Sequence, residues 1–318
     1  MLCGFLGSGK TTLLGRALGH PSLANAVVIV NEFGEVAIDH LVVADLAENV
    51  LELRNGCLCC TIRGDLALTL RALYHRRQLG DINAFDHVVV ETSGLADPIP
   101  LAHTLMANPP LMKAFFLDAI ICVVDAISGA ATVDEHDTAA NQVVLSDLIV
   151  VSKSDIAKPA DLTRTLAAVA RINPGAEVRE VVKGEVDCGE IFGRRLFNPE
   201  TRTGAIAQWV STHVGHRHNH TYGTHTIVRE EPLSLAGTSV FLNHVVNEQR
   251  LQMLRIKGLA GFREKDGAPA LLHAVGDKFY PIRWLTEWPS TDRSSRLVFI
   301  GRDLDTEWLD AKFEALCN

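Results

Sequence analysis

No stretch of the 318 residues is apolar for long enough to cross a bilayer. The longest purely apolar runs, such as Ala119–Val124, fall far short of the roughly 20 residues a membrane helix needs. Basic charge is also scarce, with 30 Lys+Arg against 38 Asp+Glu and a formal net charge of −8. Neutralising nucleic-acid phosphates takes clustered Lys and Arg, so this balance excludes an electrostatic nucleic-acid binder. No secretory leader is read at the N-terminus, which enters a Gly-rich loop at Gly4, and no internal repeat is visible. The seven cysteines do not read as a disulfide framework. Their count is odd, and Cys57, Cys59 and Cys60 fall within four positions. Such crowding points to a metal or redox site in a reducing compartment, hence the cytoplasm.

What remains is an ordinary globular composition, 47% hydrophobic and 21% charged, with a length that suggests two domains. In the first half, Ala26–Asn31, His87–Glu91, Ala119–Asp125 and Asp147–Ser152 are short runs apolar on both faces, the signature of strands covered by helices. Between them lie amphipathic stretches such as Asp65–Leu79, with Leu66, Leu70 and Leu73 on one stripe, and Leu162–Ile172. The alternation predicts an α/β domain over residues 1–190, a doubly wound and mostly parallel sheet. Residues 191–225 read as a linker rich in histidine, containing His213, His216, His218, His220 and His225. A smaller α+β domain is expected over 226–318. Its pattern restarts at Tyr222–Arg229 and continues with a helix at Leu235–Gln252, strands near Leu254–Gly261, Ala270–Ala274 and Arg296–Gly301, and a closing helix at Asp305–Leu316.

Gly4-Phe5-Leu6-Gly7-Ser8-Gly9-Lys10-Thr11 fits the Walker A pattern of a P-loop NTPase, with Thr12 following. Glycines at 4, 7 and 9 let backbone N–H groups curl around phosphate oxygens, Ser8 lies among them, Lys10 neutralises β/γ charge and Thr11 offers a hydroxyl to Mg²⁺. Only Met1-Leu2-Cys3 precede this loop, where a buried strand of about five or six residues is usual. The expectation is therefore a clipped first strand or a true start upstream of Met1. Val88-Val89-Val90-Glu91 ends an apolar strand in a carboxylate suited to the Mg²⁺ shell, and Gly94 after it can reach a γ-phosphate through its backbone. Ser152-Lys153-Ser154-Asp155 follows another apolar strand. A carboxylate at Asp155 can accept both N–H donors of guanine's Watson–Crick edge while the Lys153 stem stacks on the ring, which favours GTP over ATP. Ser152 stands where Asn or Thr is more usual. Lys10 and Glu91 are the residues assigned to the chemistry at the phosphate.

Cys57-Leu58-Cys59-Cys60 follows the strand-like Val50–Leu53. Thiolates two apart on an extended chain point the same way, and three soft ligands favour Zn²⁺ or Cu⁺ over hard cations, with a fourth ligand from elsewhere. A redox pair and a structural zinc site are the competing readings. His216-x-His218-x-His220 could capture or buffer Zn²⁺, Ni²⁺ or Co²⁺, or could be plain linker. Cys3, Cys122, Cys188 and Cys317 read as packing residues or incidental thiols.

Taken together, Gly4–Thr12, Asn31–His40 (NEFGEVAIDH), Gly56–Cys60 (GCLCC), Glu91–Pro98 (ETSGLADP) and Ser152–Asp155 resemble the signature set of the CobW-type GTPases. This is a P-loop metallochaperone family that includes zinc-regulated GTPase metalloprotein activators and nitrile hydratase activators. Arg255–Gly258 and Arg296–Leu304 are similar to the family's C-terminal domain, so the resemblance covers most of the chain. It implies GTP hydrolysis with Mg²⁺, coupled to loading a divalent metal, most often zinc, onto a client metalloprotein. It also implies that Asn31–His40 is the first switch, with Glu35 and Asp39 as candidate sensors of Mg²⁺ or of the transferred metal. Ala37 departs from the usual Gly, and the short client-recognition tail of some zinc members is not seen. A cobalt- or nickel/iron-directed member, a non-catalytic zinc reservoir and a P-loop small-molecule kinase are the alternatives. The resemblance leaves room for a homodimer.

Overall fold

A computed structural model describes residues 1–23, 25–31, 50–52, 60–106, 108–182, 188–192, 222–248 and 253–317. The chain divides into two compact units, Met1–Ala170 with Ala176–Arg195, and Arg171–Gly175 with Leu196–Asn318. Among the described residues no helix is long and apolar enough to cross a membrane.

Among the described residues the first unit is built on seven strands: β1 (Leu2–Cys3), β2 (Ala26–Asn31), β3 (Val50–Glu52), β4 (His87–Thr92), β5 (Ile121–Asp125), β6 (Leu148–Ser152) and β7 (Glu177–Glu180). They lie in the order β3-β2-β4-β1-β5-β6-β7, and every pairing is parallel. The expected strands are all present. A sheet with both faces covered needs apolar residues on both, and the burial of Ile121–Val124 and Leu148–Val151 follows that rule. The helix Cys60–Leu79 begins five residues before the amphipathic pattern does, and its Leu66, Leu70 and Leu73 stripe packs on Val27 and Ile29 of β2.

β1 is short, yet it occupies the middle of the sheet between β4 and β5. Leu2 pairs with Glu91 and Ile121, and Cys3 with Cys122. The Ile121 N–H donates to the Met1 carbonyl at 2.8 Å, which continues the pairing by one residue. Chain order and strand order part company at β1, so the carboxyl ends of β4, β1, β5 and β6 border one crevice, the usual ligand position in a doubly wound sheet.

Among the described residues the second unit contains a six-stranded sheet in the order β11-β10-β9-β13-β8, with β12 pairing β10. Its strands are β8 (Tyr222–Arg229), β9 (Met253–Phe262), β10 (Ala268–Val275), β11 (Lys278–Phe279), β12 (Arg283–Trp284) and β13 (Ser295–Arg302), all antiparallel. His225 therefore lies in β8 rather than in a linker, and its Nε2 sits 2.8 Å from Asp310 Oδ1. The helices Leu235–Glu248 and Thr306–Cys317 supply the core, where Phe241 meets Phe299 and Phe313 edge-on at 5.8 and 5.3 Å. Burial pushes the Cys317 thiol up to about 11, so it packs as an uncharged residue.

These two helices touch where Gly237 faces the Leu316 carbonyl: a Cβ at Gly237 would stand 1.8 Å from that oxygen. A backbone oxygen has no rotamer to yield. Gly237→Ala should lower the unfolding free energy of this unit by about 1–3 kcal/mol despite alanine's better helix propensity. Urea unfolding followed by circular dichroism checks it, and an unchanged midpoint would refute the close packing of the two helices.

Candidate functional site

The Walker A segment leaves β1 and turns into the helix Lys10–Leu18. Gly4 has φ 142° and a Cβ there would stand 2.3 Å from the Val123 carbonyl, while Gly9, with φ 96°, caps the helix from the left-handed region. Both positions demand glycine. The Lys10 ammonium is buried and donates to the Phe5 carbonyl at 3.2 Å. Ser8 is buried too, and its Oγ has no hydrogen-bond partner among the described residues. A hydroxyl, an ammonium and a helix N-terminus converging on one loop fit a phosphate group.

The parallel register carries Glu91 of β4 alongside this loop, and its buried Oε1 accepts from Thr11 Oγ1 at 2.9 Å. A hydroxyl and a carboxylate are hard oxygen donors, so the pair fits Mg²⁺. Beyond Glu91 the chain reaches Gly94, whose Cβ position would be 2.7 Å from the Leu6 amide nitrogen. Only glycine lets this backbone come so close to the phosphate loop.

On the other flank, Ser152 ends β6 opposite Asp125 of β5. Its Oγ donates to the Ser8 carbonyl at 2.6 Å, and Lys153, at φ 58°, donates from Nζ to the Gly7 carbonyl at 2.8 Å and pairs with Asp125 Oδ2 at 2.6 Å. Asp125 also caps the following turn, accepting from the Ile127 N–H at 2.7 Å. Asp155 is exposed two residues on. The Ser at position 152, a departure at the level of sequence, thus fastens the segment to the phosphate loop.

Lys10, Thr11, Glu91, Gly94, Ser152 and Lys153 are brought together by these contacts. Asp125 and Gln142 were not anticipated. Asp125 ends an apolar strand in a carboxylate just as Glu91 does, and that signal could have marked it. Gln142 lies in the helix Asp137–Leu145 and donates from Nε2 to the Gly94 and Ala96 carbonyls, and nothing in the local sequence foretells it.

Cys57 and Cys59 lie outside the described residues, as do Glu35, Asp39, His216, His218 and His220, and Cys60 enters only as the first residue of its helix. Among the described residues no group of three or more His, Cys, Asp or Glu could hold a metal. Cys3, Cys122, Cys188 and Cys317 are all buried. Cys3 and Cys122 are free thiols, and the hydrogen bond between them, together with burial, pushes Cys122 well above the ordinary thiol value, which suits packing and not ligation.

Residues 1–180 match the CobW/HypB/UreG nucleotide-binding domain, and residues 222–317 match the C-terminal domain of the cobalamin synthesis protein CobW. The zinc chaperone YjiA of Escherichia coli is 31% identical over 317 residues, covering 99% of this chain and 97% of that protein. The zinc chaperone CobW of Pseudomonas aeruginosa is 32% identical over 346 residues, covering 96% and 87%. The crystal structure of Zn(II)-bound YjiA GTPase from E. coli superposes with a TM-score of 0.70 at 27% identity, across 99% of this chain and 97% of that one. With both of its matched domains in the same order and a phosphate loop of this build, the chain belongs to the CobW/HypB/UreG family of nucleotide-binding proteins, in the branch that carries the CobW C-terminal domain.

Proposed function

We propose that this protein is a GTPase that carries zinc on Cys57, Cys59 and Cys60 and hands it to a client metalloprotein under control of the nucleotide. The observation that supports the nucleotide half most directly is the double tie of Ser152 and Lys153 to the Ser8 and Gly7 carbonyls. It fixes the base-reading segment to the phosphate loop, so one rigid frame meets both ends of a nucleotide. Asp155, two residues past Lys153 and exposed, is free to accept the N1 and N2 donors of guanine, a pair adenine lacks.

Lys10 and the loop amides bind the phosphates, Thr11 and Glu91 hold Mg²⁺, and Gly94 presents its backbone to the γ-phosphate. The bound Mg²⁺ would neutralise charge on the β- and γ-oxygens. Asn31–His40 acts as the first switch, and Glu35 and Asp39 sense the metal. Moving a two-state metal site from 1:99 to 99:1 takes about 5.5 kcal/mol of differential affinity, which contacts made only to a γ-phosphate can supply. Three thiolates with an open fourth position suit a metal in transit, and zinc is the metal named for the relatives. His216, His218 and His220 feed that site. A thiolate site needs a reducing compartment, which supports a cytoplasmic location.

Replacing Cys57, Cys59 and Cys60 together by Ser should leave GTP turnover in place and weaken zinc binding by on the order of a hundredfold or more. Competition with a chromophoric chelator measures this, and unchanged affinity would discard the thiolate site. Asp155→Asn should cost about ten- to hundredfold in GTP affinity while leaving ATP binding as it was. Equal losses for both nucleotides would remove Asp155 from base recognition. Phosphate release with GTP and with ATP, in the presence and absence of Zn²⁺, tests the proposal as a whole: a reservoir releases none, and a kinase needs an acceptor.

A further inference from the structure

The helix Asp137–Leu145 belongs to none of the sequence motifs, yet it touches the nucleotide site twice. At its N-terminal flank, the His136 ring stacks on Phe5 of the phosphate loop with centroids 4.6 Å apart and planes 18° apart. Farther along, the fully buried Gln142 donates from Nε2 to the Gly94 carbonyl at 3.2 Å and to the Ala96 carbonyl at 2.9 Å. The loop after β4 is therefore held between Leu6 on one side and Gln142 on the other.

The amide of Gln142 is only half served. Its Oε1 is buried and has no hydrogen-bond partner among the described residues. A buried acceptor left this way costs stability, so packing alone would favour an apolar residue of the same length. Two well-placed donors are what the amide contributes. They act on a glycine, the residue whose backbone is softest. With the Gly94 carbonyl pinned, rotation about its backbone is restricted, and the N–H of the same residue is held in a narrower range of directions. A cavity of about 20 Å³ lined by Phe5, Leu6 and Gln142 among others lies between the phosphate loop and this helix.

We propose that Gln142 is a positioning residue for the γ-phosphate: by gripping the Gly94 and Ala96 carbonyls it aims the Gly94 amide at the third phosphate and carries its arrival to the helix Asp137–Leu145. The inference rests on the GTPase reading of this site. It requires Gln142 to matter for the triphosphate and not for the diphosphate.

The test uses the full chain with Gln142→Met, which keeps length and apolar volume but has no donor, and Gln142→Asn, which keeps the amide one methylene short. Affinities for GDP and for a non-hydrolysable GTP analogue are measured beside single-turnover GTP hydrolysis. The expected result for Gln142→Met is GDP affinity within about twofold of wild type, with analogue affinity and turnover each reduced about tenfold. Equal loss for the two nucleotides would make the role structural and overturn the proposal, as would wild-type turnover in the variant. Should Gln142→Met lose its cooperative melt, the same comparison is made on Gln142→Asn, where a selective loss supports the proposal and an equal loss overturns it. Wild-type protein that hydrolyses no GTP would instead overturn the GTPase reading itself, which keeps the two failures apart.

Discussion

A phosphate loop works only if its N–H groups face inward, and that forces its carbonyl oxygens outward, where each needs a donor. One side chain of the segment itself and two at the end of β6 meet this requirement. Lys10 serves the Phe5 carbonyl, Lys153 that of Gly7 and Ser152 that of Ser8. The loop is thus shaped from its outer side before any ligand arrives, and the cost of ordering it is met by folding, which is the physical content of preorganisation. The placement of Ser152 and Lys153, the Asp125 pair and the strand ends that carry them all follow from that constraint.

The parallel sheet makes these contacts available. Because β1 has β4 on one side and β5 on the other, the carboxylates near the ends of those strands, Glu91 and Asp125, flank the loop that leaves β1. Each carboxylate finds one donor at the loop or beside it: Thr11 for Glu91, Lys153 for Asp125. At the same end of the sheet β2 and β3 close with Asn31 and Glu52. One strand order therefore gathers the phosphate loop, Glu91, Asp125 and Ser152 from a chain that is otherwise linear.

The second unit is organised by a different rule. Its antiparallel strands leave the helices Leu235–Glu248 and Thr306–Cys317 to pack on the sheet through three phenylalanines, with Gly237 setting how closely the helices approach. The cluster under these helices is apolar and includes the thiol at Cys317, while β9 also buries Arg255 and Lys257.

Local chemistry by itself determined a good deal here. The glycine spacing of the phosphate loop, the doubly apolar strands, the Leu66–Leu70–Leu73 stripe and the Cys57–Cys60 triplet are all written within a few consecutive residues, so they could be read without a fold. Elements whose pattern is weak, such as the two-residue β1, β11 and β12, have too few residues to show a period. Tertiary structure alone decided the pairings that cross the chain. Thr11 meets Glu91 across 80 residues, and Ser152 meets Ser8 across 144. Gln142 reaches Gly94 across 48, and His225 joins a strand instead of a linker. Periodicity encodes which element a segment forms and which face it buries, but register between distant strands sets which side chains meet, and register emerges only when the whole sheet assembles.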